Sequence, residues 1–205
     1  MEKADLYWNE IAWESYLTEQ ECKKCGANSC RNLIEGVISG RGHVSDLLPL
    51  PAPKYQAVEF ALNGPHLLPE VPKLAFPRPV APEVVALNDP KEGDPIIVTG
   101  NNQFTQEVIL TVLATVTNPL FVLFSNTRGD TLDMAVLFGS FHADAIKELL
   151  DSSGPHHPTT SSPLILPGKA ANLGADIHRR LEMAVEIGPV CAAELPLYLG
   201  SRDRS

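Results

Sequence analysis

The sequence has little of what a membrane protein, a secretory precursor or a nucleic-acid-binding protein needs. No apolar run reaches the length of about 18 residues that a membrane helix requires. The first residues, MEKAD, place a charge at position 2 and are not followed by the apolar core of a secretory signal. With 16 Lys and Arg against 25 Asp and Glu, the formal charge is −9, and no basic patch that could hold a phosphate backbone stands out. We therefore expect a cytoplasmic protein with no membrane span and no nucleic-acid partner.

Cysteine is also scarce, but its distribution is uneven. The 205 residues contain four cysteines, too few for a disulfide scaffold, and three of them crowd together at Cys22, Cys25 and Cys30. Thiolates at such short spacing hold metal ions or iron–sulfur clusters, so the pattern predicts a metal site. A structural zinc knuckle and simply reduced thiols are the alternatives, and a closed zinc site would require a fourth ligand.

Composition divides the chain into three segments. Residues 1–48 combine the cysteines with short helical patterns and predict a small helical domain. Residues 49–93 are dense in proline, which predicts a linker or extended arm in which 55–62 and 84–87 could form short strands. Residues 94–200 alternate strand-like runs with helical stretches. This alternation predicts an α/β domain with an open, mainly parallel sheet of the Rossmann-like or flavodoxin-like type.

The residues that follow the predicted strands are the candidate binding residues, because open α/β sheets bind ligands beyond the carboxyl ends of their strands. The four segments at these ends contain glycine, Asn and Thr, and they offer backbone amides, hydroxyls and side-chain amides rather than a nucleophile or an acid–base pair. This composition suits a large ligand with a polar edge. The four segments are residues 99–102, 126–130, 167–170 and 188–189.

Four ordered motifs run through these segments: VTxNxxxT from Val98, TxGxxxxxAxxxGxF from Thr127, LIxPG from Leu164 and GP at Gly188. Their order and spacing resemble the C-terminal corrinoid-binding domain of the large (gamma) subunit of the corrinoid iron–sulfur protein, the methyl carrier of the acetyl-CoA synthase/decarbonylase pathway. The resemblance covers about half of the chain and implies a set of corrinoid-binding residues. They are Thr99, Asn101, Thr105, Thr127, Gly129, Thr131, Met134, Ala135, Gly139, Pro167, Gly168, Ala170, Gly188 and Pro189.

The run CKKCGANSC is similar to the small four-iron cluster domain at the N-terminus of that subunit. The fourth cysteine of that domain, which is followed by proline, has no counterpart here, because Leu47 and Leu48 precede Pro49. His43 is a local candidate for a replacement ligand, and Cys191 is the one remaining thiol. The resemblance thus implies a gamma subunit with a truncated iron–sulfur domain and without the central barrel. The cluster would be of the 4Fe–4S type, held by Cys22, Cys25 and Cys30.

The resemblance implies a methyl-carrying corrinoid protein of anaerobic one-carbon metabolism, which acts with a separate methyltransferase and uses the cluster for cobalt reduction. The chain lacks the Asp-x-His-x-x-Gly motif that offers a histidine to cobalt, so a base-off corrinoid is implied, with residues 131–138 beneath it. No catalytic residue is predicted, because the cobalt makes and breaks the bonds. Two alternatives are an assembly subunit that keeps the fold without the cofactor and a nucleotide or flavin binder. No GxGxxG motif follows the first predicted strand and no Walker lysine appears, so the sequence does not support a nucleotide or flavin binder.

Overall fold

The computed structural model describes residues 7–68, 76–154 and 158–202, which form two compact units. The α/β unit contains residues 76–154 and 158–190, and the helical unit contains residues 7–68 and 191–202. In chain order the α-helices are α1 (Trp13–Tyr16), α2 (Glu19–Lys24), α3 (Cys30–Ile38), α4 (Ala52–Leu67), α5 (Gln103–Leu113), α6 (Leu132–Phe138), α7 (Ala143–Ser152), α8 (Gly174–Leu181) and α9 (Leu195–Arg202). The strands are β1 (Glu83–Leu87), β2 (Ile96–Gly100), β3 (Leu120–Ser125), β4 (Leu164–Leu166) and β5 (Val185–Ile187). Short 3-10 helices span Trp8–Glu10, Val44–Leu47, Gly168–Leu173 and Ala192–Glu194.

The five strands form one sheet in the order β1-β3-β2-β4-β5. β1 runs antiparallel to β3, and the other neighbours are parallel. Every residue of β2, β3 and β4 is buried, as expected for parallel strands that are covered on both faces and therefore read as continuous apolar runs. The predicted α/β fold with a mainly parallel sheet is confirmed.

The core of the α/β unit lies between the sheet and the helices α6, α7 and α8. Alternate residues of β2 and β3, such as Ile96 and Val98 or Phe121 and Leu123, point to this face, because side chains alternate along a strand. Ala135 of α6, Ile146 of α7 and Ile177 of α8 pack in the same cluster. The crossover helix α5 contacts β2 and buries Val108, Ile109, Val112 and Leu113. This packing holds the carboxyl ends of the strands at one edge of the unit.

The extended arm predicted for residues 49–93 is wrong for much of that segment. Residues 52–67 form α4, a helix of 16 residues, so the short strand considered at 55–62 is wrong too. Pro51 and Pro53 do not oppose this helix, because they lie at its N-terminus, where backbone N–H groups have no acceptor within the helix. The strand considered at 84–87 is confirmed as part of β1. Residues 69–75 lie outside the described residues.

The boundaries of the helical unit also differ from the predicted boundaries after residues 48 and 93. It extends through α4, and α9 belongs to it although the prediction assigned residues 94–200 to one α/β domain. Its core contains Leu17, Leu33, Ile34, Leu47, Leu50, Val58, Ala61 and Leu197 around Cys22 and Cys30. Among the described residues of the chain, no helix is long and apolar enough to cross a membrane. The cytoplasmic location stays a prediction.

Candidate functional site

The order of the strands creates a candidate binding edge. After β2 the chain moves to β3 on one side, and it later returns to β4 on the other side of β2. In open α/β sheets such a reversal opens a crevice beyond the carboxyl ends of the strands, where ligands bind. Residues 99–102 and 167–170, which were predicted as binding segments, follow the two strands that flank this reversal.

Asn101 joins the segment after β2 to the segment after β3. Its Oδ1 atom accepts hydrogen bonds from the backbone N–H groups of Thr127 (2.8 Å) and Gly129 (3.2 Å). The Thr127 hydroxyl lies 3.1 Å from the same oxygen. The Nδ2 atom of Asn101 donates to the carbonyl of Val80 at 2.7 Å. Asn101 and Thr127 are fully covered, so both side chains shape the edge from beneath its surface.

Asn102 and Gly129 complete this polar network. The Asn102 side chain caps the N-terminus of α5 by accepting from the N–H groups of Phe104 (3.0 Å) and Thr105 (3.4 Å), and its Nδ2 atom donates to the carbonyl of Gly129 at 2.7 Å. Gly129 has a φ of +78°, and a Cβ atom there would lie 2.2 Å from the backbone nitrogen of Pro79. Only glycine fits this position.

The segments after β4 and β5 are held together through their backbones. The N–H of Gly168 donates to the carbonyl of Pro189 at 2.9 Å, and the N–H of Gly188 donates to the carbonyl of Leu166 at 2.7 Å. A Cβ atom on Gly168 would come within 2.6 Å of the Val190 side chain. The glycines at these two strand ends therefore allow a close approach of the two segments.

Helix α6 supplies the apolar part of the edge. It contacts β2 and the 3-10 helix Gly168–Leu173. The Ser140 hydroxyl, just past its C-terminus, donates to Asp130 Oδ2 just before its N-terminus (3.3 Å), so both ends of α6 stay near the same strand ends. Ala135 packs into the core, whereas Leu137 and Phe138 are 73% and 66% exposed. Two large apolar side chains of α6 thus face solvent.

The predicted binding residues fall into a buried group, which lies beneath the edge, and a group that is half-buried or exposed. The buried group also includes Asn102, which lies in the predicted segment 99–102 but is not among the implied corrinoid-binding residues, although an Asn directly before a helix is a capping signal. Leu137 and Phe138 are not among the implied residues either, and both are exposed. The buried members are Thr99, Asn101, Thr127, Gly129, Ala135 and Ala170, the half-buried members are Thr105, Thr131, Met134, Pro167, Gly168, Gly188 and Pro189, and Gly139 is exposed.

The chemistry of this edge is that of binding and positioning. Its four segments and α6 contain no histidine or cysteine, and their charged side chains are Arg128, Asp130, Asp133 and Lys169. Asn101 and Asn102 are committed to hydrogen bonds within the chain. The edge therefore offers an apolar helix surface beside rigid turns, and it lacks the adjacent nucleophile and base that covalent catalysis requires.

The three cysteines do not form the predicted metal site. Cys22 and Cys30 are joined by a disulfide bond, and Cys25 is a free thiol. Metal ligands of this kind are thiolates, and sulfur atoms that are bonded to each other are not. Burial, with the negative charges of Glu21 and Asp46, also raises the pKa of the Cys25 thiol, which disfavours its thiolate form. No group of three or more His, Cys, Asp or Glu residues in the described parts of the chain is placed to hold a metal ion.

The fold and the edge define the class of the protein: an open α/β domain that presents an apolar helix and closely packed turns at the reversal point of its sheet. Residues 72–199, more than half of the chain, match the sequence profile of the CO dehydrogenase/acetyl-CoA synthase delta subunit family. The chain belongs to this family.

Individual relatives agree with this assignment. The chain is 29% identical over 123 residues to the acetyl-CoA decarbonylase/synthase complex subunit gamma of Methanopyrus kandleri, a match that covers 60% of the chain and 27% of that protein. The subunit gamma of Archaeoglobus fulgidus is 28% identical over 123 residues, which are 60% of the chain and 26% of that protein. The subunit gamma 2 of Methanosarcina mazei is 28% identical over 125 residues, with coverages of 60% and 27%. The chain spans about a quarter of the length of these relatives.

These matches correct the identification that the sequence motifs implied. The description of the chain as a gamma subunit with a truncated iron–sulfur domain and without its barrel is wrong. The delta-subunit family and the gamma-subunit relatives agree with each other, so the resemblance to the gamma subunit is not what fails. The family match begins at residue 72, beyond the three cysteines, and does not support a truncated iron–sulfur domain or a missing barrel. The partial coverage of the gamma subunits does not establish that domains have been lost. The comparisons support a similarity to gamma subunits over 123 to 125 residues of the chain.

Proposed function

We propose that the carboxyl edge of the α/β unit binds a corrinoid, and that the protein carries a methyl group in anaerobic one-carbon and acetyl-CoA metabolism. A bound corrinoid supplies a cobalt atom that accepts and releases the methyl group. Family membership supports this function, as do relatives named as subunits of an acetyl-CoA decarbonylase/synthase complex. The observation that carries the proposal is the exposed apolar surface of α6 at the reversal point of the sheet.

The residues at the edge fit a flat macrocycle with apolar faces and a polar rim. Exposed apolar surface marks ligand or partner sites, and Leu137 and Phe138, consecutive residues of α6, are both exposed. The turns at 167–170 and 188–189, which backbone hydrogen bonds join to each other, form part of the rim in this proposal. Residues 131–139 contain no histidine, so α6 would offer no imidazole to the cobalt of a bound corrinoid.

The buried polar network has a positioning role in this proposal. Asn101 and Asn102 hold the segment 126–130 from both sides, and α6 begins directly after that segment. The orientation of Leu137 and Phe138 therefore depends on hydrogen bonds that neither residue makes. Because the edge has no acid–base pair, we propose that a separate methyltransferase delivers the methyl group.

Corrinoid uptake by the full chain tests the proposal. We expect the anaerobically purified protein, mixed with cobalamin under reducing conditions, to give the absorption spectrum of a base-off cobalt. The double variant Leu137→Lys/Phe138→Lys should bind at least about tenfold more weakly, because two charges replace the apolar surface at little cost to the fold. Ile38→Lys is the matched control, since Ile38 is a 65% exposed apolar residue of the helical unit. An unchanged cobalamin spectrum in the presence of the unmodified protein would contradict the proposal.

A second candidate function is that of an assembly subunit without a cofactor. One observation favours it: the predicted polar contacts Asn101 and Thr127 are buried and hydrogen-bonded within the chain. This candidate predicts no uptake of cobalamin, flavin mononucleotide or NAD by a fully folded protein. Uptake of flavin mononucleotide or NAD alone would instead identify a nucleotide or flavin binder.

A further inference from the structure

The cysteines of the helical unit take no part in the proposed corrinoid site, yet they form a second chemical feature of the molecule. We infer that Cys22 and Cys30 are a reversible dithiol–disulfide couple that sets the stability of the helical unit, and that Cys25 stays outside the couple. The inference does not depend on corrinoid binding, because its readout is the redox state of two sulfur atoms.

The backbone holds the two cysteines at a distance that suits a disulfide. Cys22 lies on α2, and Cys30 is the first residue of α3. Their Cα atoms are 5.2 Å apart, within the range of about 4.4 to 6.8 Å that a disulfide spans without backbone movement. Both residues are buried in the apolar cluster of the unit. The bonded state therefore requires no displacement of α2 or α3.

The surroundings of Cys30 also accommodate the reduced state. Its Sγ atom lies 3.4 Å from the carbonyl oxygen of Thr18 and 3.5 Å from that of Leu17. A disulfide sulfur has no proton to donate, but a thiol in the same place has two acceptors within reach. A buried donor without a partner would be costly, so these carbonyl groups remove a penalty that reduction would otherwise bring. Both redox states thus fit one backbone.

The ties that remain after reduction explain why the unit should stay folded but become less stable. α2 has six residues, too few to be stable as an isolated helix. Thr18 and Glu21 form a capping box at its start, and Lys54 of α4 donates to both carboxylate oxygens of Glu21 at 2.6 and 2.7 Å. These contacts hold α2 without the disulfide, whereas the covalent bond restricts the unfolded chain as well.

The redox step balances with a small thiol as the reductant. A glutathione thiolate attacks one sulfur of the disulfide and forms a mixed disulfide, and a second glutathione then releases the cysteine. Two electrons and two protons pass to Cys22 and Cys30, which become thiols, and oxidised glutathione is formed. Oxidised glutathione drives the reverse reaction through the same intermediate.

A thiol titration of the full chain tests the inference. The protein is equilibrated anaerobically in glutathione buffers of graded ratio, quenched with acid and alkylated, and its peptides are analysed by mass spectrometry. We expect Cys22 and Cys30 to change together at a single midpoint from either direction, and Cys25 to be alkylated at every ratio. A disulfide that involves Cys25, a failure of the bond to form in oxidised glutathione, or reduction that occurs only in denaturant would each overturn the inference.

Stability measurements on the two redox forms give the second readout. Reduction should lower the equilibrium constant for folding roughly 100-fold, as expected for a disulfide that closes a short loop. Cys25→Ser should keep this response, whereas Cys22→Ser/Cys30→Ser should lose it. Equal urea midpoints for the oxidised and reduced protein would contradict the stabilising role. If the double variant does not fold, the thiol titration and the urea midpoints of the unmodified protein decide alone.

Discussion

The two units of the molecule are stabilised in different ways. In the α/β unit, a sheet buried on both faces fixes the strands, and a network centred on Asn101 fixes the turns at their carboxyl ends. In the helical unit, short helices surround an apolar cluster that contains the disulfide, and the carboxylate of Glu194 is buried beside Tyr16. The α/β unit therefore depends on backbone geometry and neutral hydrogen bonds. The helical unit depends on groups whose chemical state changes with redox conditions and pH.

The largest expected effect in the α/β unit comes from a methyl group at Gly129. In Gly129→Ala, the new Cβ atom would lie 2.2 Å from the backbone nitrogen of Pro79, at a φ of +78°. Because backbone atoms cannot move aside as a side chain does, we expect a loss of about 3 kcal/mol or more in the free energy of unfolding. Urea unfolding of the full chain, followed by circular dichroism, measures this loss.

Gly139→Ala is the matched control for this substitution. Gly139 also has a positive φ, +73°, but a Cβ atom there would meet open space. The backbone strain alone should cost about 1 kcal/mol. If the two variants lost the same free energy of unfolding, the close packing of Gly129 against Pro79 would not stabilise the turn.

Asn101 should give the next largest effect. Asn101→Ala leaves the N–H groups of Thr127 and Gly129 and the carbonyl of Val80 without this partner in a buried place. We expect a loss of about 2 to 3 kcal/mol in the same unfolding experiment, because buried polar groups that lose their partner keep their desolvation cost.

Asn126→Ala tests whether this loss is specific to the network. Asn126 lies in the same turn, but it is exposed and accepts one hydrogen bond, from the N–H of Arg128 at 3.0 Å. Its removal should cost about 0.5 kcal/mol. If Asn126→Ala lowered the free energy of unfolding as much as Asn101→Ala does, the effect would belong to any change in this turn and not to the hydrogen bonds of Asn101.

The parts of the fold that sequence predicts correctly are those in which local pattern and burial agree. The runs before Gly100 and Asn126 are continuous apolar stretches bounded by turn residues, and both are strands of the sheet. The pattern fails at α4, because proline density was taken as a break although Pro51 and Pro53 lie where a helix tolerates proline. It fails again at α9, whose assignment to the helical unit depends on contacts distant in sequence.

In the candidate site too, sequence predicts some features correctly and misses others. Sequence predicts that Asn101, Thr127 and Gly129 belong together, and the structure joins them by hydrogen bonds. It does not predict that Leu137 and Phe138 are exposed, because helical spacing alone does not state which face of a short helix meets solvent. The disulfide is likewise missed, because close spacing of cysteines suits a metal site as well as a covalent bond.

The smallest expected effect concerns pH and the helical unit. Burial raises the pKa of Glu194 above its ordinary value, although Tyr16 and the N–H of Ala12 donate hydrogen bonds to the carboxylate. An acid with a raised pKa in the folded state favours folding in its protonated form. Its contribution is therefore fully present below the ordinary pKa and is lost as the pH rises through the folded-state value. The contribution of Glu194 to the free energy of unfolding should accordingly fall as the pH rises above the ordinary pKa of a glutamate and through the higher folded-state pKa.

Glu194→Gln should remove this dependence, because the amide keeps an acceptor oxygen and does not ionise. The stability of the variant relative to the unmodified protein should therefore be greatest at neutral pH and should decline as the pH falls and Glu194 becomes protonated. Glu19→Gln, which makes the same change at an exposed site of the helical unit, is the control. Parallel profiles for Glu194→Gln and the unmodified protein would show that this buried carboxyl group does not make the helical unit sensitive to pH.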